Sequence, residues 1–570
     1  MCMSWRSRVF LLMIVFFCSQ SRAYTPVEKS FSREKIRFTL VDEVQEIFPD
    51  TFPHPAVLRL EQEAARNTIA GVHVMIAGLQ GTETIAFSVT APDGRSPSGS
   101  RWYRLIDVPV AENTGLDRNT EKYSGRINPY VIRRAPFRVY DPFQEQSSPI
   151  PAGGATVALR LELPIAADAA VGTAPYRIRL NCGGTKADLR FVVTVHAATV
   201  PSLDRSTINY INWHSLDNIC SAHQIEKWSE PFWTMLDKYA SLMAKGRQNT
   251  FWFIWGEYFT FDSTGHVVDF RRDRLERLIR LFLDKGFTTI HGAPTVGRRD
   301  WLGSLDMLLS AHAADGGEVY AQSDKGRRML TQMAERIIAM MKENHWEDKW
   351  VQGLFDEPTE EYVDRYKQLI SLLRSLYPDI RILEATLTTQ VAGDVNIWCP
   401  QVQEYQADRA FFDSRKKAGD QIWVYTCLSP GGPWLNRLLD QERLRQVYIG
   451  WACAKYELQG FLHWGLNHHT AKPFEELVRF HMEGQYLPAG DSHIVYPAPA
   501  GPLSSHRFEA HRIGFEDFEL LNLVRNHDPA QAEQLIAQIV TGFDQYAADV
   551  AAYRQAKKRL LAAADRAVKH

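Results

Sequence analysis

The sequence predicts a multidomain chain: an N-terminal antiparallel β-sandwich, a central (β/α)8 TIM-like barrel, and C-terminal helices. Three observations carry this. At 570 residues the chain is too long for one compact core, so two or three domains are expected. Up to residue 200 it reads as short alternating runs broken by Gly, Pro, Asn and Asp. Beyond Pro201, strand-like runs alternate with helical stretches, the pattern of βα units.

Residues 1–23 read as a secretory signal. Arg6 and Arg8 form its positive region, 9–17 is an apolar stretch too short to span a bilayer, and Ser21-Arg22-Ala23 has cleavage-site spacing. Export to a periplasmic or extracellular space is expected. Lipid anchoring at Cys18 is the lesser alternative, because Phe17 is bulky where such signals have a small residue. The sandwich is expected over 24–200, with strands such as 71–77, 85–89, 157–163, 176–180 and 189–195. The barrel is expected over 201–500. Its eight strands fall at 208–213, 249–255, 288–291, 351–355, 380–384, 395–398, 421–425 and 460–464. Helices are expected at 231–244, 272–285, 325–343, 360–376 and 435–456, with apolar residues three and four apart, as at Leu275, Leu278, Ile279 and Phe282. The short link between strands five and six leaves no room for a helix. A C-terminal segment, 501–570, should close the chain with helices at 505–526 and 529–567.

Composition narrows the function. The 65 basic and 67 acidic side chains nearly cancel, with no charged block, so neither nucleic acid nor a membrane surface is an expected partner. Past the signal no stretch is long and apolar enough to span a membrane. Signal removal leaves five cysteines, Cys182, Cys220, Cys399, Cys427 and Cys453, with no CxxC or metal-finger spacing. A single disulfide is compatible with that count; a structural zinc site is not expected. No cofactor motif is present. Aromatic residues reach 11%, which both a large core and a sugar-binding cleft would use. Oligomeric state is not legible.

Active sites of such barrels lie at the C-terminal ends of the strands. Those ends offer Asn212 and His214, Glu257 and Tyr258, His291, the pair Asp356 and Glu357, then Tyr405, Tyr425, Trp464 and Asn467. Acids, amides and aromatic faces without a metal cluster suit a neutral polyhydroxylated ligand. The segment Val351-Gln352-Gly353-Leu354-Phe355-Asp356-Glu357-Pro358 is the strongest signal: an apolar strand ending in two acids. The plainer alternative is that these acids cap the following helix.

A two-carboxylate retaining glycosidase needs its acids about 5–5.5 Å apart across the scissile bond. Strand seven, where the second would stand in many such barrels, carries no carboxylate. Neighbours on a strand point to opposite sides, so Asp356 and Glu357 cannot flank the bond as acid and nucleophile. This favours substrate-assisted chemistry. Glu357 would protonate the leaving oxygen, the 2-acetamido oxygen would attack, and Asp356 would orient the amide. The substrate would be a glycan or glycoconjugate with a terminal N-acetylhexosamine.

The motifs Gly353-Leu354-Phe355-Asp356-Glu357-Pro358, Gly460-Phe461-Leu462-His463-Trp464-Gly465-Leu466-Asn467 and Ser504-Ser505-His506-Arg507-Phe508-Glu509-Ala510, with Gly514 and Glu516-Asp517-Phe518-Glu519, resemble glycoside hydrolase family 123. Its catalytic region is also described as domain of unknown function 4091. The resemblance implies an exo-acting, retaining β-N-acetylgalactosaminidase working through an oxazolinium-type intermediate. It implies Asp356 as stabiliser, Glu357 as acid/base, and Tyr405 as a tyrosine steadying the acetamido oxygen. The chain departs from the family pattern at His506, His511 and Ile513, and at His468-His469 after Asn467. Two other readings remain open: an inverting or two-carboxylate glycosidase using Glu404 or Glu257 as base, and a non-catalytic glycan-binding protein.

Overall fold

The structure, a computed structural model, describes residues 35–299, 305–482 and 485–569. The expected signal at 1–23, with Cys18, lies outside the described residues. From Ile36 onward the chain clusters as one unit.

The N-terminal part contains two five-stranded sheets. One runs in the order Arg37–Asp42, Thr68–Ala77, Thr156–Ile165, Arg101–Val110, Phe137–Glu145, antiparallel throughout. The other runs Arg59–Arg66, Thr185–Thr199, Gly172–Cys182, Thr84–Thr90, Ile150–Pro151. Its first pair is parallel, an exception to the antiparallel expectation. Val72, Val74, Ile76, Leu159 and Leu161 of one sheet share a core with Ile178, Leu180, Leu189, Phe191 and Val193 of the other. Every second residue is apolar because successive strand residues face opposite ways.

All eight expected parallel strands form. They are Asn209–Asn212, Thr250–Phe253, Thr289–Gly292, Trp350–Gln352, Leu383–Ala385, Ile397–Cys399, Gln421–Thr426 and Gly460–His463, here strands one to eight. The ladder is continuous over two stretches, in the orders one-eight-seven-six-five and two-three-four. Between four and five there is one parallel bridge, Gln352 to Ile382. Between one and two, Asn249 is the link: its amide donates to the Tyr210 carbonyl at 3.2 Å, its Oδ1 accepts from the Tyr210 amide at 2.8 Å, and its Nδ2 donates to the Ile208 carbonyl at 2.9 Å. As expected, no helix separates strands five and six.

Alternation sorts the strand residues into two cores. Ile211, Trp213, Val351, Leu383, Ala385, Ile397, Cys399, Trp423, Tyr425, Cys427 and Leu462 pack with one another, with Trp252 and Trp464 against them. Their immediate neighbours Tyr210, Phe251, Trp350, Ile382, Trp398, Val424 and Phe461 join the helices in a separate core.

Helices Glu230–Lys245, Arg272–Leu283, Asp324–Glu343 and Val363–Leu376 match expectation within a few residues. Ser229 and Ser323 cap the first and third by accepting from the amides of Phe232 and Gly326. Two boundaries differ. The helix expected at 435–456 runs only from Arg443 to Lys455, because Leu435, Leu438 and Leu439 are buried in a loop held by Asn436, which donates to the Cys427 and Pro430 carbonyls. The closing helix His506–His527 forms, but the second splits into Pro529–Ala537 and Val550–Lys569. Between them the buried Phe543 stacks on Tyr456, and its carbonyl accepts from the Leu435 amide.

His506–His527 is buried along most of its length. It crosses Arg443–Lys455 at two glycines. A Cβ on Gly450 would lie 2.0 Å from the Gly514 carbonyl oxygen, and one on Gly514 would lie 2.4 Å from that of Val447. Contact that close requires glycine on both sides.

Candidate active site

The ladder of strand four stops at Gln352, so the acid pair sits beyond it in a built turn rather than on the strand itself. Several groups shape that turn. The amides of Leu354 and Phe355 donate to Glu384 Oε2 at 3.3 and 3.2 Å, and the Tyr366 hydroxyl donates to the same oxygen at 2.9 Å. Phe355 makes a parallel bridge with Val296. Arg298, on the hairpin after strand three, donates to the carbonyl of Asp356 at 2.9 Å and to that of Glu357. The Glu357 amide donates to the Ala385 carbonyl at 2.9 Å. Glu357 has φ 55°, a left-handed conformation costing about 1–2 kcal/mol outside glycine. The surrounding hydrogen bonds hold it there, and the strict alternation expected for the two acids does not apply.

Both carboxyls are shifted upward. Burial is the main cause for Asp356, followed by the charge of Glu357; Arg298 opposes both. Burial also raises Glu357. The Tyr425 hydroxyl, donating to Glu357 Oε1, is the largest opposing influence, followed by the charges of Arg298 and Arg118. Among the described residues neither carboxylate joins an ion pair. Two like charges in one desolvated turn ionise with difficulty, so the pair favours one proton between them.

Residues 310–524 match the family described as glycoside hydrolase 123, catalytic domain. Over those residues the chain is similar to a glycoside hydrolase family 123 catalytic domain. The match begins between strands three and four, ahead of the helix Asp324–Glu343, ends within the last turn of the closing helix and includes both acids. Among solved structures, a family 123 glycoside hydrolase from Clostridium perfringens, described for glycolipid glycan hydrolysis, shares the fold. It is 12% identical with a TM-score of 0.70, covering 94% of this chain and 98% of that one. A β-D-glucuronidase from Dictyoglomus thermophilum (10% identical, 75% and 65% covered, TM-score 0.30) and an endo-β-1,4-mannanase from Thermotoga petrophila (11%, 56% and 78%, 0.33) superpose too loosely to bear on it. No curated protein sequence gives a match.

Around the acid pair, the expected site residues divide by which way they face. Tyr425, in the inner core, touches Glu357. His291 is buried with neither ring nitrogen partnered, its ring centroid 6.3 Å from that of Trp213, and burial lowers its pKa to about 3, so it is neutral. A Cβ on Gly353 would lie 3.3 Å from His291 Nε2, which places the ring beside the acid segment. Trp464, beside the inner core, donates to both oxygens of Asp491 at 3.2 Å.

The others are turned away from the acids. Asn212 falls on the outer parity of strand one, where it donates to the Tyr210 hydroxyl and the Gln248 side chain and accepts from Arg437 at 2.6 Å. The His214 ring lies 5.4 Å from that of Phe282 on an outer helix. Tyr258 packs against Trp228 and Phe253 in the outer core. Glu257 pairs with Lys227 at 2.9 Å. Asn467 clamps Ser215, accepting from its amide and donating to its carbonyl. Tyr405 stands on the helix Val402–Ala407 with its ring among Phe412, Tyr456 and Phe543. The tyrosine at the acid is therefore Tyr425, not Tyr405.

The sequence reading missed Arg298, Glu384 and Asp491. Glu384 had a signal: a lone acid inside an apolar strand needs a partner. Arg298 had none, since its role depends on how a hairpin folds back. Asp491 is fully buried with its pKa raised by burial to about 7, and its Oδ1 lies 3.5 Å from His463 Nε2. Among the described residues no cluster of three or more His, Cys, Asp or Glu side chains could hold a metal ion. The five described cysteines are free thiols. No helix among the described residues is long and apolar enough to cross a membrane.

Proposed function

We propose that this chain is an exo-acting, retaining β-N-acetylgalactosaminidase that works by substrate-assisted catalysis, at the mouth of a (β/α)8 barrel formed by the eight parallel strands. One observation supports the reading: two adjacent acids share a desolvated turn, neither in an ion pair among the described residues, and strand seven presents a tyrosine to Glu357.

Glu357 is the general acid. Tyr425 holds Oε1, leaving Oε2 to carry the proton to the leaving oxygen. As the glycosidic bond breaks, the acetamido carbonyl oxygen of the substrate bonds to the anomeric carbon. Asp356, ionised, accepts the amide N–H and balances the positive charge of the oxazolinium ring. Water then attacks the anomeric carbon, the ring opens, and Glu357 takes the proton from water. Two inversions give net retention. The neutral His291 and Trp213 provide a wall beside the acids.

The supporting domain plan is a sandwich over 24–200, the barrel over 201–500 and a helical closure over 501–570. Residues 1–23 are read as an export signal, which N-terminal sequencing of the secreted protein would test.

The deciding assay is release of p-nitrophenol from the β-N-acetylgalactosaminide, beside the N-acetylglucosaminide and the plain galactoside. The galactosaminide alone should be cleaved, with Asp356→Asn severely impaired. Turnover of the plain galactoside would exclude acetamido participation.

A further inference from the structure

The sandwich sends a long excursion, residues 111–136, toward the catalytic mouth. It is fastened there at several points. Thr114 donates through its amide and hydroxyl to the buried Asp440, at 2.7 and 2.8 Å. The Gly431 amide donates to the Asp117 carbonyl at 3.0 Å, and a Cβ on Gly431 would lie 2.2 Å from the Gly115 carbonyl oxygen. Gly431 is in the loop that follows strand seven, so the excursion packs on a loop leaving the strand whose Tyr425 touches Glu357. The Tyr486 amide donates to Asn119 Oδ1 at 2.9 Å, joining the excursion to the hairpin of Arg479–Met482 with Gln485–Leu487 beyond strand eight.

Three aromatic rings form a strip along this joint. Tyr123 lies 5.7 Å from Tyr486, and Tyr486 lies 5.6 Å from Phe480. Phe480 is 60% exposed and Tyr123 48%. Linked aromatic rings left in water beside an active site mark a binding surface. Arg118 lies on the same excursion, next to the Asn119 that binds the Tyr486 amide. Its side chain is exposed and joins no ion pair among the described residues, and its charge is felt at Glu357.

We propose that Tyr123, Tyr486 and Phe480, with Arg118, form a platform for the sugar chain on the leaving-group side of the scissile bond. This rests on the glycosidase reading above. The occupant is a neutral oligosaccharide: ring faces cover the C–H faces of successive pyranoses, and Arg118 donates to their hydroxyls. An anionic membrane fits less well, because the other cations of the excursion are matched by acids. Lys122 pairs with Glu112, Arg126 with Asp117, Arg133 with Asp50 and Arg134 with Glu121, so Arg118 alone is left without an acid among the described residues, too small a basic surplus for a lipid surface.

The test compares kcat/KM on a trisaccharide ending in β-linked N-acetylgalactosamine with that on the p-nitrophenyl glycoside, whose aglycone carries no further sugar. In Tyr486→Ala and in the surface variant Phe480→Ala, the ratio of trisaccharide to chromogenic kcat/KM should fall about tenfold, the size of one lost aromatic contact. An unchanged ratio overturns the platform. A loss seen only when the same glycan is anchored in phosphatidylcholine–phosphatidylserine vesicles overturns it in favour of a lipid surface. Titration calorimetry on Glu357→Gln separates the remaining failures. Binding of neither trisaccharide nor N-acetylgalactosamine removes the activity reading and the platform with it. Equal affinity for both removes the platform alone.

Discussion

Asp356 and Glu357 beside strand four, and Glu162 and Glu509 where the closing helix meets the sandwich, are all carboxylates taken out of water, yet their pKa values move in opposite directions. At that joint both carboxylates meet cations. Glu162 meets Arg160 and Lys245 at 3.0 Å, and Glu509 meets Lys245 at 2.8 Å and Arg512 at 2.7 Å. Burial still raises both groups, but the cations outweigh it and their pKa values fall. At the acid turn the nearby guanidinium, Arg298, is spent on backbone carbonyls, so burial wins and both pKa values rise. For these four carboxylates burial alone therefore does not set the direction of the shift; whether a cation meets the carboxylate does.

This contrast can be tested by substitution, beginning with the largest effect. Glu357→Gln keeps the shape of the side chain but removes its exchangeable proton. It should lower kcat/KM by about 10²–10⁴, the usual worth of a general acid, on substrates with a poor leaving group. A smaller loss there would move the acid elsewhere. Arg512→Met leaves Glu509 and Glu516 short of a partner inside the core and should cost about 3–5 kcal/mol in urea unfolding. A cost below about 1 kcal/mol would show that the helix network is not compensating its charges.

Tyr425→Phe removes the hydroxyl that favours ionised Glu357. The alkaline limb of the kcat/KM profile should therefore move to higher pH, with a loss of about tenfold from poorer orientation of the acid. An unmoved limb would mean that the tyrosine only packs.

The smallest effect carries the clearest sign. A carboxyl with a raised native pKa keeps its proton better folded than unfolded, so its contribution to stability worsens as pH rises above the ordinary carboxylate range. Asp356→Asn should thus stabilise the protein by about 1 kcal/mol near neutral pH, with the gain vanishing below about pH 4. Glu509 has a lowered pKa and runs the other way: its contribution is full above the ordinary carboxylate range and is lost as pH falls below it. Glu509→Gln should therefore cost most at neutral pH and progressively less in acid. Parallel melting curves of the two variants across pH would test both signs together.

How far the sequence was legible follows from the physics of alternation. The apolar runs located all eight parallel strands, because a buried strand needs apolar residues on both sides. The same property hid which side was which. Asn212, Tyr258 and Tyr405 lie at or beyond strand ends just as Tyr425 does, but only Tyr425 faces the inner core. The registers of Ile211 with Trp213 and of Trp423 with Tyr425 would have sorted the strand residues once one inward position was fixed. The turn at Glu357 was hidden for another reason. A left-handed non-glycine is held by tertiary bonds from Arg298 and Ala385, and local sequence carries no trace of those. The closing helix was placed within a residue, since Ser505 caps it by accepting from the Phe508 amide.

The contact between Gly450 and Gly514 has a bearing on how this protein can be taken apart. A helix laid backbone to backbone on its neighbour leaves no side-chain layer to be resurfaced, so neither partner could be made soluble alone by a few surface changes. A gene fragment cut to the 310–524 match keeps both glycines but discards strands one to three and the Lys245 that answers Glu509. Anyone building chimeras should exchange the sandwich excursion as a cassette and leave the rest of the chain whole.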